Sequence, residues 1–273
     1  MGAIPDSPLG KATAYADAYD PGLLFAVERA PQREALGLGL ELPFRGADQW
    51  TAWELSWLDA SGKPQVAVAT FAVPCESPRI VESKSVKLYL TALNNVRFDD
   101  RGALAAMLAR DLTAATGAAV SVSVVPPSSY AAFARDEVPG ICIDDLPLGT
   151  SRDEPDAAML AAGRDTAGET LYTRLFRSVC PVTGQPDYAT VAIAYRGPRI
   201  DRAALLAYLV SFRRHAGFHE HCVERIFVDV DHACRPEALA VHARFTRRGG
   251  VDISPFRSNS AEFSSASAPT FVQ

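Results

Sequence analysis

The chain is short of almost everything that announces a function by itself. Its five cysteines (75, 142, 180, 222 and 234) are an odd number without a C-x-x-C pair. That pattern argues against a disulfide framework and a structural zinc site, and points to a reducing compartment. No apolar run approaches the length of a membrane span; the longest, such as Val66 to Val73, are strand-length. The first twenty residues lack a basic stretch followed by an apolar one, so no secretory leader is expected. Asp6 stands where myristoylation of Gly2 would need Ser or Thr. Neither sign of charge dominates: 27 Lys and Arg against 32 Asp and Glu leave −5, so a direct nucleic-acid partner is not expected. Walker sequences are absent, and Gly37-Leu-Gly39-Leu lacks the third glycine and the strand-to-helix setting of a dinucleotide fingerprint. Any nucleotide cofactor is held without a Rossmann domain. A soluble, cytoplasmic protein with no membrane partner is expected.

What is present is an ordinary globular composition, 48% hydrophobic and 22% charged over 273 residues, enough for one large or two medium cores. Periodicity divides the chain into two similar halves. In the first, Trp53 to Leu58 alternates, Ser61-Gly-Lys-Pro64 turns, and Gln65 to Val73 resumes the strand pattern, which predicts a hairpin. A helix from Ser85 carries Val86, Leu90 and Leu93, with Ser83 or Ser85 as cap. A second helix begins at Asp99 or Asp100, carries Leu104, Met107, Leu108 and Leu112, and stops at Gly117. Val120 to Val125 is a further strand.

The second half repeats the order. Leu171 to Phe176 and Tyr188 to Tyr195 are predicted strands. Asp201 caps a helix with Leu205, Leu206, Leu209 and Phe212 that Gly217 ends. A second helix shows Val223, Ile226, Phe227 and Val230, and Ala238 to Thr246 closes as the last strand. The segment 126–168, rich in Pro, Gly, Asp and Ala, is the expected linker. Strand-strand-helix-helix-strand twice predicts a duplicated α+β unit.

Four stretches could carry chemistry, and each also has a plain structural reading. Cys180-Pro-Val-Thr-Gly-Gln-Pro-Asp187 lies between two strands; its thiol is either an ordinary hairpin residue or a nucleophile with a nearby acid. Phe218-His219-Glu220-His221-Cys222 opens a helix. Glu220 there either answers the helix dipole or joins His219 in accepting N–H groups of a heterocycle. His215, His219 and Cys222 could be assembled as zinc ligands, but no second cluster completes them. In Val81-Glu82-Ser83-Lys84-Ser85-Val86-Lys87, serines and lysines beside free helix amides serve either as a cap with solvated charges or as a phosphate site. Thr246-Arg247-Arg248-Gly249-Gly250, after the last strand, is a solvated loop or a close approach to phosphate.

Taken together, Glu82-Ser-Lys-Ser-Val-Lys-Leu-Tyr89, the Cys180–Asp187 loop, Phe218-His-Glu220 and Arg247-Arg-Gly-Gly250 resemble the NADPH-dependent 7-cyano-7-deazaguanine reductases, the nitrile reductases of queuosine biosynthesis. Ser7-Pro-Leu-Gly-Lys11, Tyr19-Asp-Pro-Gly-Leu-Leu-Phe25 and Trp53-Glu-Leu-Ser-Trp-Leu-Asp59 resemble them too, in order, to about residue 257. The stretch Glu82–Tyr89 sets the family apart from the related GTP cyclohydrolases. Its position before the cysteine loop indicates the long, two-module form. Ser254 before Pro255, where the family pattern has Asn, is a departure outside the chemistry.

The resemblance implies tandem tunnel-fold modules, 1–145 with the Glu-Ser-Lys-Ser stretch and 146–273 with the cysteine loop, whose antiparallel sheets assemble into barrels through a homodimer. It implies a deazaguanine substrate and NADPH as cofactor, with no metal. Cys180 would add to the nitrile carbon as a thioimide, Asp187 would protonate the nitrogen, and His219 would assist proton transfer through two hydride transfers. Val81, Glu82, Ser83, His219 and Glu220 would hold the base; Ser83, Lys84, Arg248 and Gly249 would hold NADPH. A zinc hydrolase on the same fold and an inert purine-binding module are the competing expectations.

Overall fold

The computed structural model describes residues 18–133, 138–149 and 152–263. The Ser7–Lys11 stretch and the end of the Ser/Ala-rich C-terminal segment lie outside them. In chain order the elements are β1 (Ala26–Glu28), α1 (Ala30–Ala35), β2 (Arg45–Leu58), β3 (Pro64–Pro74), β4 (Arg79–Val81), α2 (Ser83–Thr91), α3 (Arg101–Thr116) and β5 (Ser121–Val125). After them come β6 (Ile141–Cys142), β7 (Ala162–Val179), β8 (Pro186–Ile200), α4 (Arg202–Ser211), α5 (His219–Cys234), β9 (Ala238–Phe245) and β10 (Val251–Ser258). β1 and β4 form an antiparallel pair. The other eight strands form one sheet in the order β5-β3-β2-β10-β9-β8-β7-β6, with only β6–β7 parallel. The fold is α+β.

The duplicated order is there, but the halves share a single sheet. β10 pairs along its whole length with β2, from Val251 opposite Ala52 to Ser258 opposite Arg45. This strand is missing from the sequence reading, so Arg247–Gly250 is the turn between β9 and β10 and not a loop after the last strand. Pro255 argues against a central strand because it cannot donate to a ladder. The ladder to β9 begins only at Phe256, which leaves Pro255 outside it. The linker is also shorter than the stretch 126–168, since β7 already begins at Ala162. In this chain the sheet ends at β5 on one edge and β6 on the other, and no barrel closes among the described residues.

One face of the sheet carries the helices. α4 and α5 bury Leu205, Leu206, Val223, Ile226 and Phe227 against Val191, Ile193 and Val241. α2 and α3 bury Val86, Leu104, Leu108 and Leu112 against Trp50 and Phe71. Each such side chain contributes roughly 1.5–3 kcal/mol, so the helix starts are held on a firm base. β2 shows how the pattern adapts. Trp50 and Ala52 face the core, a bulge intervenes between Ala52 and Leu55, and the buried phase switches to Leu55 and Trp57.

Asp100 caps α3 through the Ala103 amide at 2.8 Å, and Gly117 ends it at φ 78°. Asp201 caps α4. Gly217 does not end α4, which stops at Ser211 and passes through a 3-10 turn to Arg214. Instead Gly217 sits in an extended link. A Cβ there would stand 3.2 Å from Cys222 Sγ and 3.3 Å from His215 Nε2. No helix among the described residues is long and apolar enough to cross a membrane.

Candidate active site

Four segments distant in sequence meet at one end of the sheet: the β4–α2 junction, the β7–β8 turn, the start of α5 and the β9–β10 turn. Backbone bonds draw them together. Val179 N–H donates to His215 O at 2.9 Å and Gly217 N–H to Val179 O at 3.1 Å, which ties the entry to α5 onto the end of β7. Glu82 N–H donates to Phe25 O at 2.8 Å, Thr246 N–H to Tyr188 O at 2.8 Å, and Trp53 N–H to Gly250 O at 2.8 Å. Between the segments lies a cleft of about 710 Å³ counting its open mouth. Val81, Glu82, Ser83, Cys180, Asp187, His219, Glu220 and Arg248 all line it. Lys84 and Gly249 do not.

Cys180 occupies a tight turn in which its N–H donates to Gln185 O at 2.8 Å and its carbonyl accepts from Gly184 N at 3.0 Å. The thiol is half-buried. By contrast, burial pushes the thiols of Cys75 and Cys222 up to about 12 and that of Cys234 to about 11, which keeps them inert packing groups. Position, not residue type, singles out Cys180.

Asp187 opens β8 and is 5% exposed. Burial alone would raise its carboxyl. The His219 hydrogen bond and charge, with the Arg248 guanidinium, outweigh burial and hold it below the usual carboxylate range. His219 Nε2 lies 3.5 Å from Asp187 Oδ2, and its ring stacks on Phe245 at 3.8 Å. Arg248 bonds the Asp187 carboxylate and the Gln185 side chain, and donates to Pro186 O at 3.3 Å. Asp187, His219 and Arg248 thus form one oriented polar group beside the thiol.

The cleft also carries two glutamates. Glu82, and neither Ser83 nor Ser85, is the N-cap of α2. Its carboxylate accepts from the amides of Lys84 at 2.7 Å and Ser85 at 2.9 Å. Ser85 is diverted elsewhere: its hydroxyl donates to Glu82 O at 2.6 Å and accepts from Phe25 N–H. Glu220 lies in the first turn of α5, a helix whose N-terminus has no side-chain cap. It is 4% exposed. Burial first and the Asp48 charge second push its carboxyl up to about 7, against His219 and Arg29.

Lys87 and Thr246, which fell within the stretches singled out but received no role of their own, and Asp252 also line the cleft. Lys87 is one helical turn on from Ser83, so helical spacing alone could have found it. Burial and then the Arg248 charge lower its ammonium, against the charges of Glu82, Asp187 and Cys180. Its stem packs where a Cβ on Gly249 would stand 3.2 Å from Lys87 Cδ, and Gly249 itself has φ 57°. Turn, glycine and cation fit together as a place where a phosphate can approach backbone. Among the described residues no three metal-ligating side chains are grouped. The zinc set weighed above does not assemble: His219 faces Asp187, and Cys222 is buried beneath Gly217.

The cleft thus sets a half-buried thiol beside an oriented Asp-His group and two buried carboxylates. Residues 15–124 match a family model described as the N-terminal part of the nitrile reductase 7-cyano-7-deazaguanine reductase, and 186–264 match one described as QueF-like protein. A protein of Burkholderia ambifaria named NADPH-dependent 7-cyano-7-deazaguanine reductase is 57% identical over 255 residues, 93% of each chain. Its namesakes in Burkholderia cenocepacia and Burkholderia multivorans are 57% and 56% identical over the same shares. The chain belongs to the 7-cyano-7-deazaguanine reductase family.

Proposed function

We propose that this protein reduces the nitrile of 7-cyano-7-deazaguanine to the aminomethyl compound, with Cys180 as the nucleophile. The observation that carries this reading is the meeting of Cys180 and Asp187 in one cleft with Glu82 and Glu220. A nitrile carbon is a poor hydride acceptor, and a covalent adduct divides one hard step into easier ones. The Cys180 sulfur bonds to the nitrile carbon to give a thioimide. Asp187 is held ionised, so it begins as the base that takes the thiol proton and then delivers that proton to the nitrile nitrogen. The sequence reading gave Asp187 only the second half of this shuttle. When the thioimide carbon is reduced, the C–S bond breaks and Cys180 leaves as thiolate, giving an imine. His219, stacked on Phe245, keeps Asp187 oriented and passes the second proton to the nitrogen as the imine is reduced. Solvent reprotonates the thiolate. The overall balance is one nitrile, two hydrides and two protons to one primary amine.

Glu82 and Glu220 accept the amide and exocyclic amine N–H groups of the base, charge-assisted bonds that reject a heterocycle with the wrong edge; Val81 and Ser83 line that side. Ser83, Lys84, Arg248 and Gly249, joined by Lys87, hold the cofactor's phosphates. NADPH, when bound, supplies the hydride for both reductions. The two modules, 1–145 and 146–273, follow the tunnel fold. The open edges at β5 and β6 are where the sheet of a second copy continues it into a barrel, so the working unit is a cytoplasmic homodimer.

The test is Cys180→Ala with the nitrile and NADPH. Wild type is expected to oxidise two NADPH per nitrile and to show, without NADPH, a protein mass raised by one nitrile. The variant is expected to show neither. An adduct that persists in Cys180→Ala removes this cysteine from the mechanism.

A further inference from the structure

The β9–β10 turn carries two consecutive arginines, and the reading above uses only the second. Arg248 turns inward, where it bonds the Asp187 carboxylate, the Gln185 side chain and the Pro186 carbonyl. Arg247 is exposed. Among the described residues its guanidinium enters no ion pair and no hydrogen bond, yet it is held in place. Its central carbon lies 5.7 Å from the centroid of the Trp53 ring, within cation–π range.

Trp53, on β2, clasps this turn at three points. Its N–H donates to Gly250 O at 2.8 Å. Its indole Nε1 donates to Asp252 Oδ2 at 2.5 Å, and its ring carries Arg247. Asp252 is 4% exposed and lines the cleft, so the indole is fixed from the buried side. The turn is closed by Arg248 N–H, which donates to Val251 O at 3.0 Å. Two adjacent side chains therefore leave one closed turn in different directions, Arg248 into the cleft and Arg247 onto the ring. Glu54 guards the far end of the turn, where a Cβ on Gly250 would stand 2.7 Å from its Oε2. That carboxylate turns a phosphate away from Gly250 and leaves Arg247 as the exposed cation of the turn.

NADPH differs from NADH by one phosphate, on the 2′ oxygen of the adenosine ribose, separate from the diphosphate. Recognising both groups takes two places of positive charge. An arginine already held on an aromatic face loses little freedom when its N–H fork meets a phosphate. We propose that Arg247, held over Trp53, receives the adenosine 2′-phosphate and is the residue by which this chain prefers NADPH to NADH. The inference rests on the reading of Arg248 and Gly249 as cofactor-binding residues.

The experiment is calorimetry on the nitrile-free protein. It compares adenosine 2′-monophosphate with adenosine 5′-monophosphate, and NADPH with NADH. Wild type is expected to bind the 2′-isomer and NADPH more tightly than their counterparts. In Arg247→Leu, a change at an exposed side chain whose fold is checked by circular dichroism, both of these affinities are expected to fall roughly 10-fold. Those for the 5′-isomer and NADH should stay within a factor of about two. Trp53→Leu is expected to weaken the same two ligands by about 2- to 5-fold, because the guanidinium is no longer held. Equal losses for both isomers, as loss of general surface charge would give, overturn the inference, and so do unchanged affinities in Arg247→Leu. A Trp53→Leu variant that binds like wild type overturns the role of the ring. Arg248→Gln separates the two readings. If it weakens NADPH and NADH alike, the turn holds the cofactor whatever Arg247 does. If it weakens neither, that reading fails, while the comparison of isomers still decides Arg247.

Discussion

Asp187 and Glu220 are buried to nearly the same depth in one cleft, 5% and 4% exposed, yet their carboxyls are displaced in opposite directions. At Asp187 burial is overcome by the imidazole of His219 and the guanidinium of Arg248. At Glu220 burial is reinforced by Asp48, and the opposing charges of His219 and Arg29 do not cancel it. Depth therefore does not decide protonation here; the sign of the nearest committed neighbour does. Two carboxylates whose surroundings push them apart are suited to different tasks. Under the proposed mechanism the ionised one would serve as the first base at the thiol end, and the one poised near neutrality would take up its charge when a ligand supplies donors.

The thiol end should break first. Asp187→Asn removes the base and the later acid together, and is expected to lower turnover by roughly 10²–10⁴-fold. Binding of the nitrile, measured by calorimetry, should stay within a factor of about three. Turnover near wild type would hand the proton shuttle to His219 and erase the functional contrast between the two carboxyls.

The other end should fail differently. Glu220→Leu leaves donors of the bound base unpaired at a cost of about 1–3 kcal/mol, so binding should weaken by roughly 5- to 150-fold. Thioimide formation at saturating nitrile should change much less. In wild type the affinity should tighten as pH rises from 6 to 8, because ionised Glu220 is the form that accepts N–H groups. A flat dissociation constant across that range would show that the base is held elsewhere.

Local chemistry explains which parts of this arrangement were legible beforehand. Asp100, Gly117 and Asp201 announce helix ends because each acts within its own turn. The motif stretches placed Cys180, Asp187, Glu82, His219, Glu220 and Arg248, all of which line the cleft. What stayed hidden depends on contacts distant in sequence. β10 was hidden because Pro255 and the polar Asp252, Ser254 and Arg257 mask a strand buried on both faces. Arg257 and Asp48, buried 2.9 Å apart, carry no local signal at all, being 209 positions apart in the numbering. The cap of α2 was assigned to Ser83 or Ser85 and not to Glu82, because Ser85 is diverted to Phe25, a partner 60 residues away.

The smallest expected effect sharpens the contrast within a single helix. Glu220 and Glu224 stand one turn apart on α5 and are both buried, but they are displaced oppositely, to about 7 and about 2. Burial would raise Glu224 too; Arg257 first, and then Arg33 and Arg29, bring it down. For Glu224 the folded state holds the proton less tightly than the unfolded chain. Its stabilisation is present above the ordinary glutamate range and is lost as pH falls from about 4.5 towards 2. For Glu220 the folded state holds the proton more tightly, so its contribution is complete below about 4.5 and declines as pH rises through 7. Glu220→Gln removes that penalty and should raise the melting temperature by a few degrees at pH 8 while changing it little at pH 4. Glu224→Gln strips a partner from Arg33 and Arg257 and should lower the melting temperature at pH 8, with the deficit shrinking towards pH 2. If both variants moved the same way at pH 8, the two glutamates would be equivalent buried acids. Glu220 would then not be the strained, substrate-facing member of the pair that its place in the cleft requires.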